Sequence, residues 1–321
     1  MIHTLWALAR PPMIPLVLAL PLTGLFLAHW DRALALGAAD LRLVPVLVAW
    51  ALLHAGSLWM NAALDRDEGE VLLGHPAQVP ARAGALGQGG LALSVAVAAL
   101  AGPCPAALTG VAAALGWVYS HPRTAWKGHP LGGPLVNGLG YGVLSPAVGW
   151  CVAGVGLTLR GGLILALVPL AMLGLFFAAQ AFQGPEDAAR GYRTLVVTGG
   201  PVSALRASRL LLGAAFAGFL GLVAVGWIPL LGAVVLPLWW VSDRHLARWS
   251  LEEGGGTGLH ARVLLRQLTL TFLAVLLAIG GHYGWSLRGG GPTAGLATRA
   301  GWPADREEVR GRALARAEAR R

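Results

Sequence analysis

The stretch with the most chemical potential is Asn61-Ala62-Ala63-Leu64-Asp65-Arg66-Asp67-Glu68-Gly69-Glu70, at the end of a long apolar run. On a helix, Asn61, Asp65 and Glu68 stand at i, i+4 and i+7, one above another on one face. A later apolar run ends the same way, with Gln180, Gln183 and Asp187 at i, i+3 and i+7 and Glu186 beside them. Oxygen ligands so placed suit a hard divalent cation such as Mg²⁺, which takes one or two carboxylates and leaves positions for phosphate oxygens and water. Every helix turns polar where it leaves a membrane, so residue types alone do not separate a site from a helix end.

The elements that must position these residues are membrane helices. Of the 321 residues, 56% are hydrophobic and 12% charged, and the mean hydropathy is +0.64. That is about half the roughly 25% charge of a soluble domain. A spanning helix needs about 20 apolar residues. Stretches free of Asp, Glu, Lys and Arg reach that length at 11–30, 43–64, 83–122, 128–159, 161–185, 210–242 and 267–287. Two of them fold back, at Gly102-Pro103-Cys104-Pro105 and at Gly226-Trp227-Ile228-Pro229, because proline removes a backbone donor and glycine permits the turn. The expectation is an all-α integral membrane bundle of about nine transmembrane helices over 1–287, with eight as the competing count. A basic tail over 288–321, rich in Gly, Ala and Arg, is expected to be disordered. The apolar run from Pro11 to Trp30 is too long for a typical signal peptide and lacks a clear cleavage site, so it reads as a retained first helix.

Charge is lopsided across this topology. With nine spans, Arg10, Arg66, Arg82, Lys127, Arg190 and Arg244 fall on one side with most other interhelical cations, and Arg32, Arg42 and Arg160 fall on the other. The positive-inside rule puts the first side, which also carries Asp65, Glu68, Glu186 and Asp187, in the cytoplasm of a bacterial inner membrane. The Arg-rich tail disagrees with an odd helix count. The formal charge of +9 follows from topology and needs no nucleic acid, for which the chain has no aromatic-basic motif. Cys104 and Cys151 match no metal-ligand spacing and establish no disulfide by sequence alone.

The order of the polar passages resembles the UbiA-type membrane prenyltransferases over about residues 5–285. The Asn61 passage is similar to that family's first aspartate motif, Asn-Asp-x-x-Asp-x-x-x-Asp. Glu186-Asp187-Ala188-Ala189-Arg190-Gly191-Tyr192-Arg193-Thr194-Leu195 resembles its second acidic motif and the Gly-x-x-Thr-Leu that follows. Tyr119-Ser120-His121-Pro122 with Lys127 resembles the Tyr-Ser-x-Pro and downstream Lys of the chlorophyll-synthase-like branch. The resemblance implies a Mg²⁺-dependent transferase that moves a polyprenyl group from its diphosphate to an aromatic or other lipophilic acceptor. It assigns Asp65, Asp187 and Asn61 to catalysis and, with Glu68 and Glu186, to the metal. It assigns Lys127, Arg193, Arg190, Tyr119, Gln180 and Gln183 to substrate binding.

The departures from the family pattern are specific. Ala62 and Gly69 stand where the first motif has aspartates, and Gln180 and Gln183 align with the leading aspartates of the second. One metal ion, or a weaker site completed by substrate, is easier to hold here than two. A divergent, non-catalytic lipid-binding member of the same fold is the alternative function. A secondary transporter would carry ionisable residues near the bilayer midplane, and these spans have essentially only histidines. His54 reads as a hydrogen-bonded packing residue; Asn137 and Tyr141, at i and i+4, are candidates to line a groove.

Overall fold

The computed structural model describes residues 2–32, 37–65 and 79–287. Glu68, Asp67 and the tail after 287 lie outside the described residues. Every described element is helical. In chain order, α1 (Ile2–Leu8), α2 (Ile14–Asp31) and α3 (Leu43–Asp65) are followed by α4 (Ala83–Ala99) and α5 (Pro103–Ser120). Then come α6 (Gly132–Asn137), a π-helix over Gly138–Leu144, and α7 (Ser145–Val152). After them, α8 (Leu159–Leu165), α9 (Leu167–Gln180) and the short α10 (Gly184–Ala189) lead to α11 (Leu195–Ala224), α12 (Val235–Trp249) and α13 (Gly258–Leu287).

The apolar runs become helices where expected in the first half. α3 matches the run 43–64, and α4 and α5 part at Gly102, whose φ of 127° only glycine adopts readily. Six segments are long and apolar enough to cross a membrane: Pro11–Arg32, Ala39–Asp65, Gly132–Val152, Leu159–Gln180, Leu195–Ala224 and Gly258–His282. α4, α5 and α12, of 17, 18 and 15 residues, fall outside that measure, so the chain does not establish nine spans. In the second half the helix starts differ from the charge-free runs. α11 begins at Leu195 and carries Arg206 and Arg209, while α13 begins at Gly258 and carries Arg262 and Arg266. α12 slides past 242 to include Asp243, which takes two hydrogen bonds from Arg209 at 2.8 and 2.9 Å. Paired charges and long arginine stems let a helix continue where a search for charge-free sequence stops.

Three apolar clusters hold the bundle. One joins α2, α9 and α11–α13 around Leu20, Leu175, Leu212, Trp249 and Leu265; a second joins α2–α5 and α7 around Val46, Trp50, Met60 and Val148; a third joins α2, α7, α8 and α13 around Leu27, Trp150, Ile164 and Ile279. Between α3 and α4 the contact is backbone to backbone. A Cβ on Gly87 would lie 2.6 Å from the Met60 nitrogen, and one on Gly56 2.9 Å from the Gly87 carbonyl oxygen. Lipid offers no hydrophobic drive between helices, so such close packing supplies much of the attraction.

The bundle has two distinct polar ends. At one end the α3 terminus and the loops 121–131 and 181–194 join: Lys127 pairs with Asp65, and the Arg193 N–H donates to the Gly128 carbonyl at 2.8 Å. The loop after α12 joins them, since Gly255 lies against the Ala181 carbonyl. At the other end Arg160 grips Asp31 at 2.6 Å, Arg42 donates to the Val152 carbonyl at 3.0 Å, and Cys104 is disulfide-bonded to Cys151 with Cα atoms 6.3 Å apart.

Candidate active site

A cavity of about 250 Å³ opens at the first of these ends between the first two apolar clusters. It is lined by Asn61 and Asp65 from α3, Tyr119 and Ser120 from α5, Lys127, Gln180 at the end of α9, Gln183 just after it, and Glu186, Asp187 and Arg190 around α10. The two helical stripes therefore share one chamber. Below, the walls contributed by α2 and α9 are apolar, with Leu16, Val17 and Leu20 across from Met172 and Leu175, while His54 and Ser57 line the α3 side.

Each polar group at the mouth is held by the fold. α3 ends in the cavity, so Asn61 and Asp65 project one turn apart. The Asn61 Oδ1 accepts from Ser120 Oγ at 3.1 Å and from Lys127 Nζ at 3.3 Å. Lys127 also forms an ion pair with Asp65, the two side chains being 8% and 6% exposed. Burial, and next the Arg190 charge, pull the Lys127 ammonium down to about 8, with Asp187 pulling the other way.

On the opposite wall, α9 stops at Gln180 and α10 starts at Gly184, whose neighbour Pro185 sits in the first turn where its missing N–H costs nothing. Asp187 is buried, and its Oδ2 accepts from Thr194 Oγ1 at 2.8 Å. Arg190 donates to Glu186 at 2.7 Å and reaches the Asp65 backbone carbonyl at 3.4 Å. Tyr119 is hydrogen-bonded to Asn137. Gln180 is buried, and its Oε1 meets no partner among the described residues.

One expected residue is placed elsewhere. Arg193 is exposed, is not among the cavity's lining residues, and contributes its backbone N–H to the Gly128 carbonyl instead. His121 stacks on Trp117 with ring centroids 4.1 Å apart, also away from the cavity. Sequence reasoning missed Arg10, Trp50 and Ser57 as lining residues. The signal for two of them was present: Trp50, His54, Ser57, Asn61 and Asp65 recur at helical spacing, so the polar stripe of α3 runs further inward than its charged end. Arg10 counted only as a topological charge. It sits just before α2 with φ of 49°, which carries it over the cavity from a separate element.

The donor set can be tested against a divalent cation. It is all oxygen, as Mg²⁺ prefers, and the orphaned Gln180 Oε1 is a ligand in waiting. Among the described residues no three His, Cys, Asp or Glu side chains converge on one metal position. The described residues thus fit one ion completed by phosphate oxygens and water.

The sequence pattern of the UbiA prenyltransferase family matches residues 17–254. The chain belongs to that family. Solved structures share the fold. A UbiA homologue from Archaeoglobus fulgidus bound to GPP and Mg²⁺ superposes with a TM-score of 0.64 at 20% identity, covering 86% of this chain and 99% of that one. A UbiA homologue from Aeropyrum pernix K1, solved in its apo form, gives 0.56 at 22% identity over 83% of this chain and 95% of the other. A digeranylgeranylglyceryl phosphate synthase gives 0.55 at 14% identity over 84% and 98%. None of the curated protein sequences matches significantly. At these identities the neighbours speak for the UbiA fold, and the role of each cavity residue rests on this chain's own geometry.

Proposed function

We propose that this UbiA member is an integral membrane prenyltransferase that moves a polyprenyl group from its diphosphate to an aromatic or other lipophilic acceptor, with Mg²⁺ at the mouth of the cavity. The observation that carries the reading is the juxtaposition of Asp65, Asp187, Lys127 and Arg190 at the mouth of a cavity whose α2 and α9 walls are apolar. A prenyl diphosphate has the same division. Its chain belongs in the apolar part and its phosphates at the charged rim. The Archaeoglobus fulgidus homologue was solved with GPP and with DMAPP, each alongside Mg²⁺, which supports the same substrate class here.

In this reading Asp65, Asp187, Asn61 and Gln180 hold the ion, which when bound neutralises charge developing on the departing diphosphate. Lys127 and Arg190 hold the phosphate oxygens from the protein side. Fixed cations aimed at developing negative charge in a dry site act without reorganising during the reaction. Thr194 keeps the Asp187 carboxylate turned toward the cavity, and Ser120 does the same for Asn61. The apolar walls keep water from the allylic carbon. The charged end, which also carries the basic loops, faces the cytoplasm.

A second reading, a lipid-binding member without catalysis, is favoured by one feature: Ala62, Gly69, Gln180 and Gln183 stand where the family carries aspartates. Membranes containing the protein, incubated with labelled prenyl diphosphates of several lengths, Mg²⁺ and a lipid extract as acceptor source, separate the two. Diphosphate release supports the transferase, and tight binding without release supports the lipid binder.

A further inference from the structure

α12 has two unlike faces. Val235, Ser242, Leu246 and Trp249 are buried against the bundle. On the opposite side Leu236, Trp240, Arg244 and Arg248 recur every fourth residue, and all four are exposed, Trp240 at 59%. At about 1.5 Å per residue this stripe runs roughly 18 Å, from an aliphatic end through an indole to two guanidiniums. A bilayer leaflet met from its midplane has the same order: hydrocarbon, then the interfacial zone that indoles favour, then headgroups. The basic end of the stripe lies at the charged end of the bundle, where the loop after α12 sets Gly255 against the Ala181 carbonyl.

Exposed apolar residues alone say only that lipid covers the helix. The cations say more. The Arg244 guanidinium is laid over the Trp240 ring, its Cζ 4.6 Å from the centroid, which fixes it in place and leaves the N–H edges of its plane open. Asp243, its neighbour in sequence, is already engaged, since both carboxylate oxygens accept from Arg209, at 2.8 and 2.9 Å. Glu252, in the loop that follows, is bonded to His260 Nε2 at 2.9 Å. Arg248 forms no ion pair among the described residues, and neither does Arg206, exposed one turn before Arg209 on α11. Positive charge thus exceeds its acceptors on this part of the surface, and the acceptor a bilayer supplies at headgroup level is a phosphate oxygen. We propose that Trp240, Arg244 and Arg248 form a site for one anionic phospholipid. Its phosphate lies between the two guanidiniums, its glycerol beside Trp240 and an acyl chain along Leu236. A choline lipid offers the same phosphate but carries a cation of its own toward the arginines, so the site favours a headgroup of net negative charge. It lies on the outside of the bundle and is independent of the transferase reading.

The test is native mass spectrometry of the full chain released from nanodiscs of phosphatidylcholine that contain a minority of phosphatidylglycerol. The wild type should retain one phosphatidylglycerol in preference to phosphatidylcholine. Arg244→Gln and Arg248→Gln should each lower that retention about fivefold. Trp240→Leu leaves the net charge unchanged and frees the Arg244 side chain, so it should lower retention about twofold to fivefold. Arg266→Gln, which removes an exposed cation from α13, is the control and should retain the lipid like the wild type. No preference for phosphatidylglycerol in the wild type overturns the site, and that comparison needs no variant to fold. An effect of Arg266→Gln equal to that of Arg244→Gln, or unchanged retention in Trp240→Leu, would reduce the preference to general attraction of acidic lipid and also overturns it. Displacement of the lipid by inorganic phosphate alone would make the ligand a free anion, against the proposal; excess phosphate should leave the lipid bound.

Discussion

Lys127 places its ammonium on the Asp65 carboxylate and within 3.3 Å of Asn61 Oδ1, so a loop cation and the end of α3 are locked together in an almost dry chamber. Burying both ions is expensive, and each is tolerated because the other is there. Removing one partner should therefore cost more than removing both. Lys127→Met is expected to destabilise the protein by about 3–5 kcal/mol, and Lys127→Met with Asp65→Asn by distinctly less. Thermal unfolding of the detergent-purified single and double variants checks this, and additive losses would show that the pair is not coupled.

Thr194 has a narrower role. Its hydroxyl donates to Asp187 Oδ2 at 2.8 Å in a buried setting. Thr194→Val keeps the shape and leaves that oxygen unmet, at a cost of about 1–3 kcal/mol. Calorimetric titration of Mg²⁺ with diphosphate should show weaker binding in Thr194→Val and near-normal binding in Thr194→Ser. Equal affinity in both would remove Thr194 from the site.

A third expectation concerns packing remote from the charges. Gly87→Leu on α4 would drive a side chain into the Met60 backbone and push α3 away. Overpacking of this kind typically costs about 1–3 kcal/mol. Because Asn61 follows Met60 directly, diphosphate affinity should fall as well. Gly89→Leu, where an added Cβ meets nothing within 4 Å, is the control on the same helix. If both variants bind diphosphate like the wild type, α4 does not position the site.

The two ends of the bundle make opposite predictions for cysteine chemistry. The Cys104–Cys151 disulfide lies at the end away from Asp65, and disulfides persist in oxidising compartments. With the charged end cytoplasmic, both thiols should be blocked in intact cells and become reactive to maleimide only after reduction. Single cysteines placed in 121–131 and 184–194, on a background lacking Cys104 and Cys151, should label from the cytoplasm alone. Labelling of these loops from opposite sides would end the proposed topology.

How much of this was legible in the sequence follows the range of each interaction. Helical spacing is local, so Asn61 with Asp65 and Gln183 with Asp187 could be read as stripes, and both stripes line one cavity. The Gly102-Pro103 break was equally local. The starts of α11 and α13 were missed because Arg206, Arg209, Arg262 and Arg266 ended the charge-free runs, and the Arg209–Asp243 pair that accommodates one of them joins positions far apart in the chain. Arg10 entered the site from another element, which no periodicity reports. Arg193 matched a motif by order, yet its side chain is exposed while its backbone makes the contact.

The central claim is that Asp65 and Asp187 carry the charge on which a prenyltransferase site depends. The most direct measurement is the rate of diphosphate release from labelled prenyl diphosphate by membranes holding the wild type, Asp65→Asn, Asp187→Asn or Asp67→Asn, with Mg²⁺ present or chelated. Losing one carboxylate should slow turnover about a hundredfold to a thousandfold, as chelation should in the wild type. Asp67→Asn should stay near the wild-type rate, since position 67 does not continue the Asn61–Asp65 stripe. Near-normal, Mg²⁺-dependent turnover by both Asp65→Asn and Asp187→Asn would contradict the account.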